Sequence, residues 1–97
     1  MNEDIKIKWL AALRSGEYQQ TKEALRAEGS FCCLGVLCDI VEPDDWEHDF
    51  HRGRNSYPAD ALLAEYGLTR SALEPYARMN DAGESFIAIA DRIEKDL

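Results

Sequence analysis

The stretch Phe31-Cys32-Cys33-Leu34-Gly35-Val36-Leu37-Cys38-Asp39-Ile40 decides the fold, because it is the longest apolar run in the chain. It holds all three cysteines and a single ionisable acid, Asp39. Such residues are mostly buried in folded proteins, so in a chain of 97 residues the run has to lie near the middle of the fold. The run therefore locates the core, and it indicates no chemistry by itself.

A buried helix over residues 32–41 is the structure that the run favours. Pro43 prevents this helix from continuing past Val41. Gly35 costs a helix about 1 kcal/mol relative to alanine, which makes sense if another backbone crosses it closely. A β-strand remains the alternative, since periodicity alone does not decide short apolar runs. The helical spacing is carried by Leu34, Leu37, Cys38 and Val41.

Amphipathic helices are predicted near both ends of the chain, over residues 2–15 and 85–97. Asn2 is the expected N-cap of the first, with Gly16 as its stop, and Ser85 is the expected N-cap of the last. The apolar stripe of the first helix is Ile5, Trp9, Leu10 and Leu13. That of the last is Phe86, Ile89, Ala90, Ile93 and Leu97.

Shorter helical segments are predicted in the second half of the chain. Pro58 fits the first turn of a short helix that Gly67 ends. Thr69 can cap a further turn through Leu73. Pro75 is then expected to break the helix before a second brief helix begins.

Residues 17–31 lack a clear helical period. They favour a short hairpin, with one strand near residues 18–25 that returns through residues 29–33. A helix over residues 17–26 stays open as the alternative, because the alternation of polar and apolar side chains there is poor.

Residues 42–56 form a long polar excursion, in which Trp46 and Phe50 are spaced to hold the segment against the core. We expect this segment to be the most mobile part of the chain. The predicted fold class is α+β: a small, mostly helical single domain spanning residues 1–97, with about four helices and a short β-hairpin packed on them.

The charge of the chain limits its partners. The net charge is −8. A negatively charged body repels the phosphates of nucleic acids, so direct binding of DNA or RNA is disfavoured and a basic protein partner is favoured. No apolar run approaches the roughly 20 residues that cross a bilayer. The acidic start of the chain does not look like a secretory signal, so a cytoplasmic setting is expected.

No catalytic or metal-binding motif is present. The adjacent Cys32 and Cys33, with Cys38 beyond them, have neither zinc-site nor redox spacing and are interpreted as small buried hydrophobes. His48 and His51 lie among acids, but the pattern differs from known zinc motifs and supplies no third ligand. We therefore expect a protein that is not an enzyme and uses no cofactor or metal.

Two groups of residues are candidate binding surfaces. The first mixes basic, amide and aromatic side chains in the only part of the chain that is not acidic, and could hold a small anionic ligand. It consists of Trp9, Arg14, Tyr18, Gln20 and Lys22. The second is acidic and could face a basic partner. It consists of Asp44, Asp45, Glu47 and Asp49.

Three stretches of the chain carry a resemblance to a known family. These are KWLAALRSGEYQQ at residues 8–20, FCCLGVLCD at residues 31–39 and MNDAGESF followed by Ile89-Ala90 at residues 79–90. Together they resemble a family of short proteins encoded in tailed-bacteriophage genomes, whose function is unassigned. The resemblance implies a phage origin and the cytoplasm of a bacterial host, and it carries over no residue role.

The sequence thus suggests a phage accessory protein that acts by binding. The leading hypothesis is a small acidic inhibitor or modulator of a bacterial host or defence protein. The alternative is a binder that sequesters a small anionic nucleotide signal. The sequence does not indicate the oligomeric state.

Overall fold

One cluster of 19 buried side chains forms the core, and every helix contributes to it. The computed structural model describes residues 1–97, with five α-helices and two short antiparallel hairpins. The helices are α1 Glu3–Arg14, α2 Cys33–Val41, α3 Asp60–Glu65, α4 Arg70–Asp81 and α5 Phe86–Asp96. The strands are β1 Arg26–Ala27, β2 Ser30–Phe31, β3 Trp46–Glu47 and β4 Phe50–His51. The α+β prediction is confirmed, and the second hairpin was not foreseen.

Helix α2 lies at the centre, which confirms the buried helix and excludes the strand. Its residues from Cys33 to Cys38 are all buried, and it packs against α1 and α4. Trp9 of α1 donates its indole N–H to the carbonyl of Cys33 at 2.9 Å. A Cβ at Gly35 would overlap the carbonyl oxygen of Leu25, so the predicted close backbone crossing is confirmed.

Helices α1 and α5 begin at their predicted caps and pack against each other. The Asn2 side chain accepts the N–H of Ile5 at 3.0 Å, and the Ser85 hydroxyl accepts the N–H of Ala88 at 3.1 Å. The apolar stripes predicted for both helices face the core. None of the five helices has both the length and the apolar content that a bilayer crossing needs.

The first hairpin is shorter than predicted and lies later in the chain. Its turn is Glu28-Gly29, with φ of 51° and 81°, the pair of left-handed residues that a type I′ turn needs. The strand predicted at residues 18–25 is wrong, and so is the alternative helix. That segment is irregular and meets the hairpin through a single bridge between Gln20 and Phe31. The hairpin pairs are Arg26↔Phe31 and Ala27↔Ser30.

The polar excursion at residues 42–56 folds into a second hairpin. A 3₁₀ turn over Pro43–Asp45 leads into β3, and β4 returns along it. The turn between the strands contains His48 at φ of 55°. The paired residues are Trp46↔His51 and Glu47↔Phe50.

Two predictions about prolines are corrected. Helix α3 begins two residues after Pro58, so this proline precedes the helix instead of occupying its first turn. Helix α4 continues through Pro75, where a break was predicted. Pro75 is exposed and removes one intrahelical hydrogen bond. The buried side chains of Leu73 and Tyr76 on either side of it hold the two halves in one helix.

Candidate functional site

The two hairpins are joined by a row of four aromatic rings. Tyr18, Phe31, Trp46 and His51 meet edge to face, with successive centroids 5.0, 5.8 and 4.9 Å apart. Edge-to-face pairs stabilise beyond the area that they bury. Trp46 therefore packs inward, as predicted, and the row fixes the second hairpin against the first.

Polar groups complete this joint between the hairpins. The carboxylate of Asp39 accepts the Tyr18 hydroxyl at 2.6 Å and the Trp46 indole N–H at 3.1 Å. The guanidinium of Arg26 lies 4.3 Å from the centre of the Trp46 ring and donates to the carbonyl of His48. These contacts connect the second hairpin both to the first hairpin and to Asp39 of α2.

Phe50 points away from the joint, and its predicted packing against the core is wrong. Its side chain is 50% exposed. The spacing of Trp46 and Phe50 is that of one helix face, but side chains alternate in a hairpin. Trp46 and His51 share the inner face, and Glu47 and Phe50 share the outer face. A hollow of about 260 Å³ lies beside this ring, bordered by Glu47, His48 and Gly53.

The four acids predicted to face a partner divide into two pairs. Asp45 binds Arg52 at 2.7 Å and Asp49 lies 3.6 Å from Arg26, so both serve the hairpin itself. Asp44 and Glu47 are exposed and have no ion-pair partner. The free acids of this segment are therefore Asp44, in the 3₁₀ turn before β3, and Glu47, which is paired with Phe50 across the hairpin. We call these three residues the hairpin tip.

The five residues of the predicted basic and aromatic patch contact different parts of the structure and do not lie together. Trp9 is 0% exposed and belongs to the core. Arg14 binds Asp91 and Glu94 of α5 at 2.8 and 3.0 Å. Tyr18 belongs to the hairpin joint. The two others approach the end of α4, where the Gln20 amide donates to Asn80 Oδ1 at 3.0 Å and Lys22 lies near Gly83.

Asn80 is a buried polar residue that sequence reasoning missed. It is 0% exposed, and its Oδ1 also accepts the N–H of Cys33 at 3.1 Å. Its Nδ2 donates to the carbonyl of Thr21 at 2.8 Å. Asn80 thus holds the irregular segment, the start of α2 and the end of α4 together. No local pattern marks such a role, because its partners are distant in sequence.

The three cysteines and His51 are buried inside the protein. Burial raises the pKa of Cys32, Cys33 and Cys38, so their thiols stay protonated at neutral pH. His51 is 0% exposed, with Nε2 2.8 Å from the carbonyl of Glu42 and Nδ1 without a partner. No group of three or more His, Cys, Asp or Glu side chains is placed to hold a metal ion.

Two further hollows adjoin each other at Ser56 and Tyr57. The larger, of about 430 Å³, lies between α4, the start of α2 and the irregular segment. The smaller, of about 300 Å³, is bordered by Arg54 and Arg70. Arg54 is the one arginine in the chain without an ion-pair partner. The larger hollow is lined by more acidic than basic side chains, and the smaller one is lined by two arginines.

Comparison with known proteins places the chain in a family. A model described as Domain of unknown function (DUF8296) matches residues 1–70. The chain belongs to this family. No curated protein and no solved structure matches it. The matched region of the DUF8296 family contains the hairpin joint and the hairpin tip, and it ends where α4 begins.

Proposed function

We propose that the protein is a phage accessory protein that acts by binding in the cytoplasm of a bacterial host. In this proposal it is a small acidic inhibitor or modulator of a host or defence protein. The observation that supports it is the hairpin tip, where the half-exposed ring of Phe50 lies opposite the unpaired carboxylate of Glu47, and Asp44 adds a second unpaired carboxylate just before β3.

The hairpin tip has the composition of a protein-binding surface. Aromatic side chains that insert into a partner contribute much of the free energy of association. Carboxylates around such an anchor increase the rate of encounter with a basic partner and select against acidic ones. The net charge of −8 acts in the same direction.

The tip is also held in place before any partner arrives. The aromatic row and Arg26 fix the second hairpin against the first. A surface that is already ordered loses less conformational entropy on binding. The protonated thiols and the bond from His51 to a backbone carbonyl support a role in binding and not in catalysis.

A pull-down from infected bacterial lysate tests this function with variants of the tip. We expect Phe50→Ala to weaken capture of the partner, and Asp44→Lys/Glu47→Lys to abolish it. The control is Glu17→Lys/Glu84→Lys, which makes the same change of charge at exposed acids outside the hairpins. Equal capture by the wild type and by both tip variants would contradict the proposed surface.

A second candidate function is the sequestration of a small anionic nucleotide. The predicted patch around Trp9 does not form one surface, but the hollow bordered by Arg54 and Arg70 is cationic, and Tyr57 lines it. A thermal-shift screen against a nucleotide panel tests this candidate, since a ligand at 100 times its Kd adds about 2.7 kcal/mol of stability. The absence of any shift, or a shift that Arg54→Ala leaves unchanged, argues against it.

A further inference from the structure

The largest cavity of the protein has no part in the hairpin tip. Its volume of about 430 Å³ lies within the range of roughly 300–1,000 Å³ that is typical of small-molecule sites. Asn80 holds the irregular segment against α4 and so keeps one edge of the cavity in place. The apolar part of its wall consists of Ala24, Cys32, Leu34, Tyr57 and Ala77.

The charges around this cavity do not balance. Arg78 binds Glu74 one turn earlier in α4, so these two charges compensate each other. Asp81 uses only Oδ1, which accepts the backbone N–H of Glu23 at 2.9 Å. The carboxylate of Glu23 is exposed and has no partner in the protein. The carboxylates of Glu23 and Asp81 therefore border the cavity without a positively charged partner.

Two hydroxyl groups that line the cavity are also free. Ser56 and Tyr57 line the cavity, and neither hydroxyl has a hydrogen-bond partner in the protein. Burial, together with the negative charge of Glu74, raises the pKa of Tyr57. Its hydroxyl is thus a neutral donor and acceptor at physiological pH. The cavity combines an apolar wall, two uncompensated carboxylates and two free hydroxyls.

We propose that this cavity binds a small organic cation, an ammonium or guanidinium group carried on an apolar body. The apolar body packs against the wall of Ala24, Leu34 and Ala77, and the cation faces Glu23 and Asp81. The volume is that of a whole small molecule, larger than one lysine or arginine side chain needs. A free small molecule, and not a side chain of a protein partner, is therefore the proposed occupant. This site is independent of the hairpin tip and of any protein partner bound there.

A matched set of three probes tests the proposal: n-hexylamine, n-hexanol and hexanoate, titrated into ¹⁵N-labelled protein. The three share an apolar chain and differ in the charge of the head group. We expect hexylamine to move the amide resonances of Glu23, Ala24 and Ala77, with weaker shifts from hexanol and none from hexanoate. A capped lysine peptide, added separately, tests whether the site instead takes a side chain of a protein.

Variants show whether the carboxylates select the cation. Glu23→Gln/Asp81→Asn removes both charges, while the amide oxygen introduced at position 81 can still accept the backbone N–H at position 23. We expect the affinity for hexylamine to fall about fivefold, as for two partly exposed ion pairs. Glu17→Gln/Asp4→Asn removes the same charge at exposed acids outside both the cavity and the hairpin tip, and should leave the affinity unchanged.

Ala77→Leu provides a second test that does not depend on charge. Ala77 is half-buried in the cavity wall, so a larger side chain there fills the space and should prevent binding of hexylamine. Any of three results would overturn the proposal: equal binding of the three probes, binding that neither the double variant nor Ala77→Leu alters, or binding of the lysine peptide without binding of hexylamine. Each of these leaves the function proposed for the hairpin tip unaffected.

Discussion

Gly35 is the residue at which α2 and the backbone of Leu25 come closest. Glycine in the middle of a helix is ordinarily unfavourable by about 1 kcal/mol. Here the missing Cβ leaves room for the carbonyl of Leu25, which would otherwise be overlapped. The close approach lets the irregular segment bury Leu25, which is 0% exposed, over the start of the central helix.

Gly35→Ala should therefore destabilise the protein although alanine is the better helix former. We expect the free energy of unfolding to fall by about 2 to 3 kcal/mol, because the added methyl group meets backbone that cannot move aside. Urea denaturation followed by circular dichroism measures this change. Ala11→Gly, at an exposed site of α1, is the control and should cost about 1 kcal/mol. A Gly35→Ala protein as stable as the wild type would show that the crossing is looser than described.

Asn80 is the second residue on which the fold depends, since its amide serves three partners. Asn80→Ala would leave the N–H of Cys33 and the carbonyl of Thr21 unpaired in the interior. We expect a loss of about 2 to 4 kcal/mol. The control is Gln20→Ala, whose exposed side chain should cost less than about 1 kcal/mol. Similar losses for the two variants in urea denaturation would contradict a central role for Asn80.

At the scale of the elements, α4 is the helix that sequence reasoning divided in two. Pro75 has no N–H to donate to the carbonyl of Ser71, so one turn of α4 lacks a bond. Pro75→Ala restores this donor at an exposed position. We expect the free energy of unfolding to rise by about 1 to 3 kcal/mol. Thermal unfolding of the variant checks this gain, and an unchanged or lower Tm would mean that Pro75 contributes packing that the exposed ring does not suggest.

The helices were more predictable than the hairpins for a physical reason. Local signals define α1 and α5, namely an N-cap at Asn2 or Ser85 followed by a regular apolar stripe. The hairpins are only two residues per strand, so no alternating pattern has room to develop. Phe50 shows the result: its spacing from Trp46 looks helical, and only the register of the hairpin reveals that it points outward.

The candidate sites were less predictable than the fold because their residues find partners far along the chain. Arg14 looked available in the sequence, but Asp91 and Glu94 neutralise it. In the sequence Asp45 and Asp49 do not differ from the other acids of their segment, but in the structure Arg52 and Arg26 form ion pairs with them. Pairing of charges depends on tertiary contacts, which composition does not determine.

At the scale of the whole molecule, the buried thiols and the buried phenol of Tyr76 make the stability of the fold sensitive to high pH. Burial raises the pKa of the three thiols above their ordinary 9.0, and it raises the pKa of Tyr76 from 10.0 to about 12 with help from the hydrogen bond to Asp96. In this range the unfolded chain binds fewer protons than the folded protein, so stability decreases with pH. These groups make their full contribution to the free energy of unfolding below about pH 9, and this contribution is lost as the pH rises further.

We expect the free energy of unfolding to decline as the pH rises from about 9 to about 12. Tyr76→Phe should be less stable at neutral pH, since it lacks the bond to Asp96, but its decline between about pH 10 and 12 should be shallower. Urea denaturation at several pH values gives both slopes. Parallel slopes for Tyr76→Phe and the wild type would exclude Tyr76 as a source of the effect.

The packing of α5 against α1 has a consequence for biosynthesis. The region shared with the family ends at residue 70, yet Phe86, Ile89 and Ile93 occupy the core beside α1. When only the first 70 residues have emerged from the ribosome, the side of the hydrophobic core that α5 covers is still exposed to solvent. The protein can become fully native only after residues 86–97 have left the exit tunnel, because until then the apolar stripe of α1 lacks the helix that covers it.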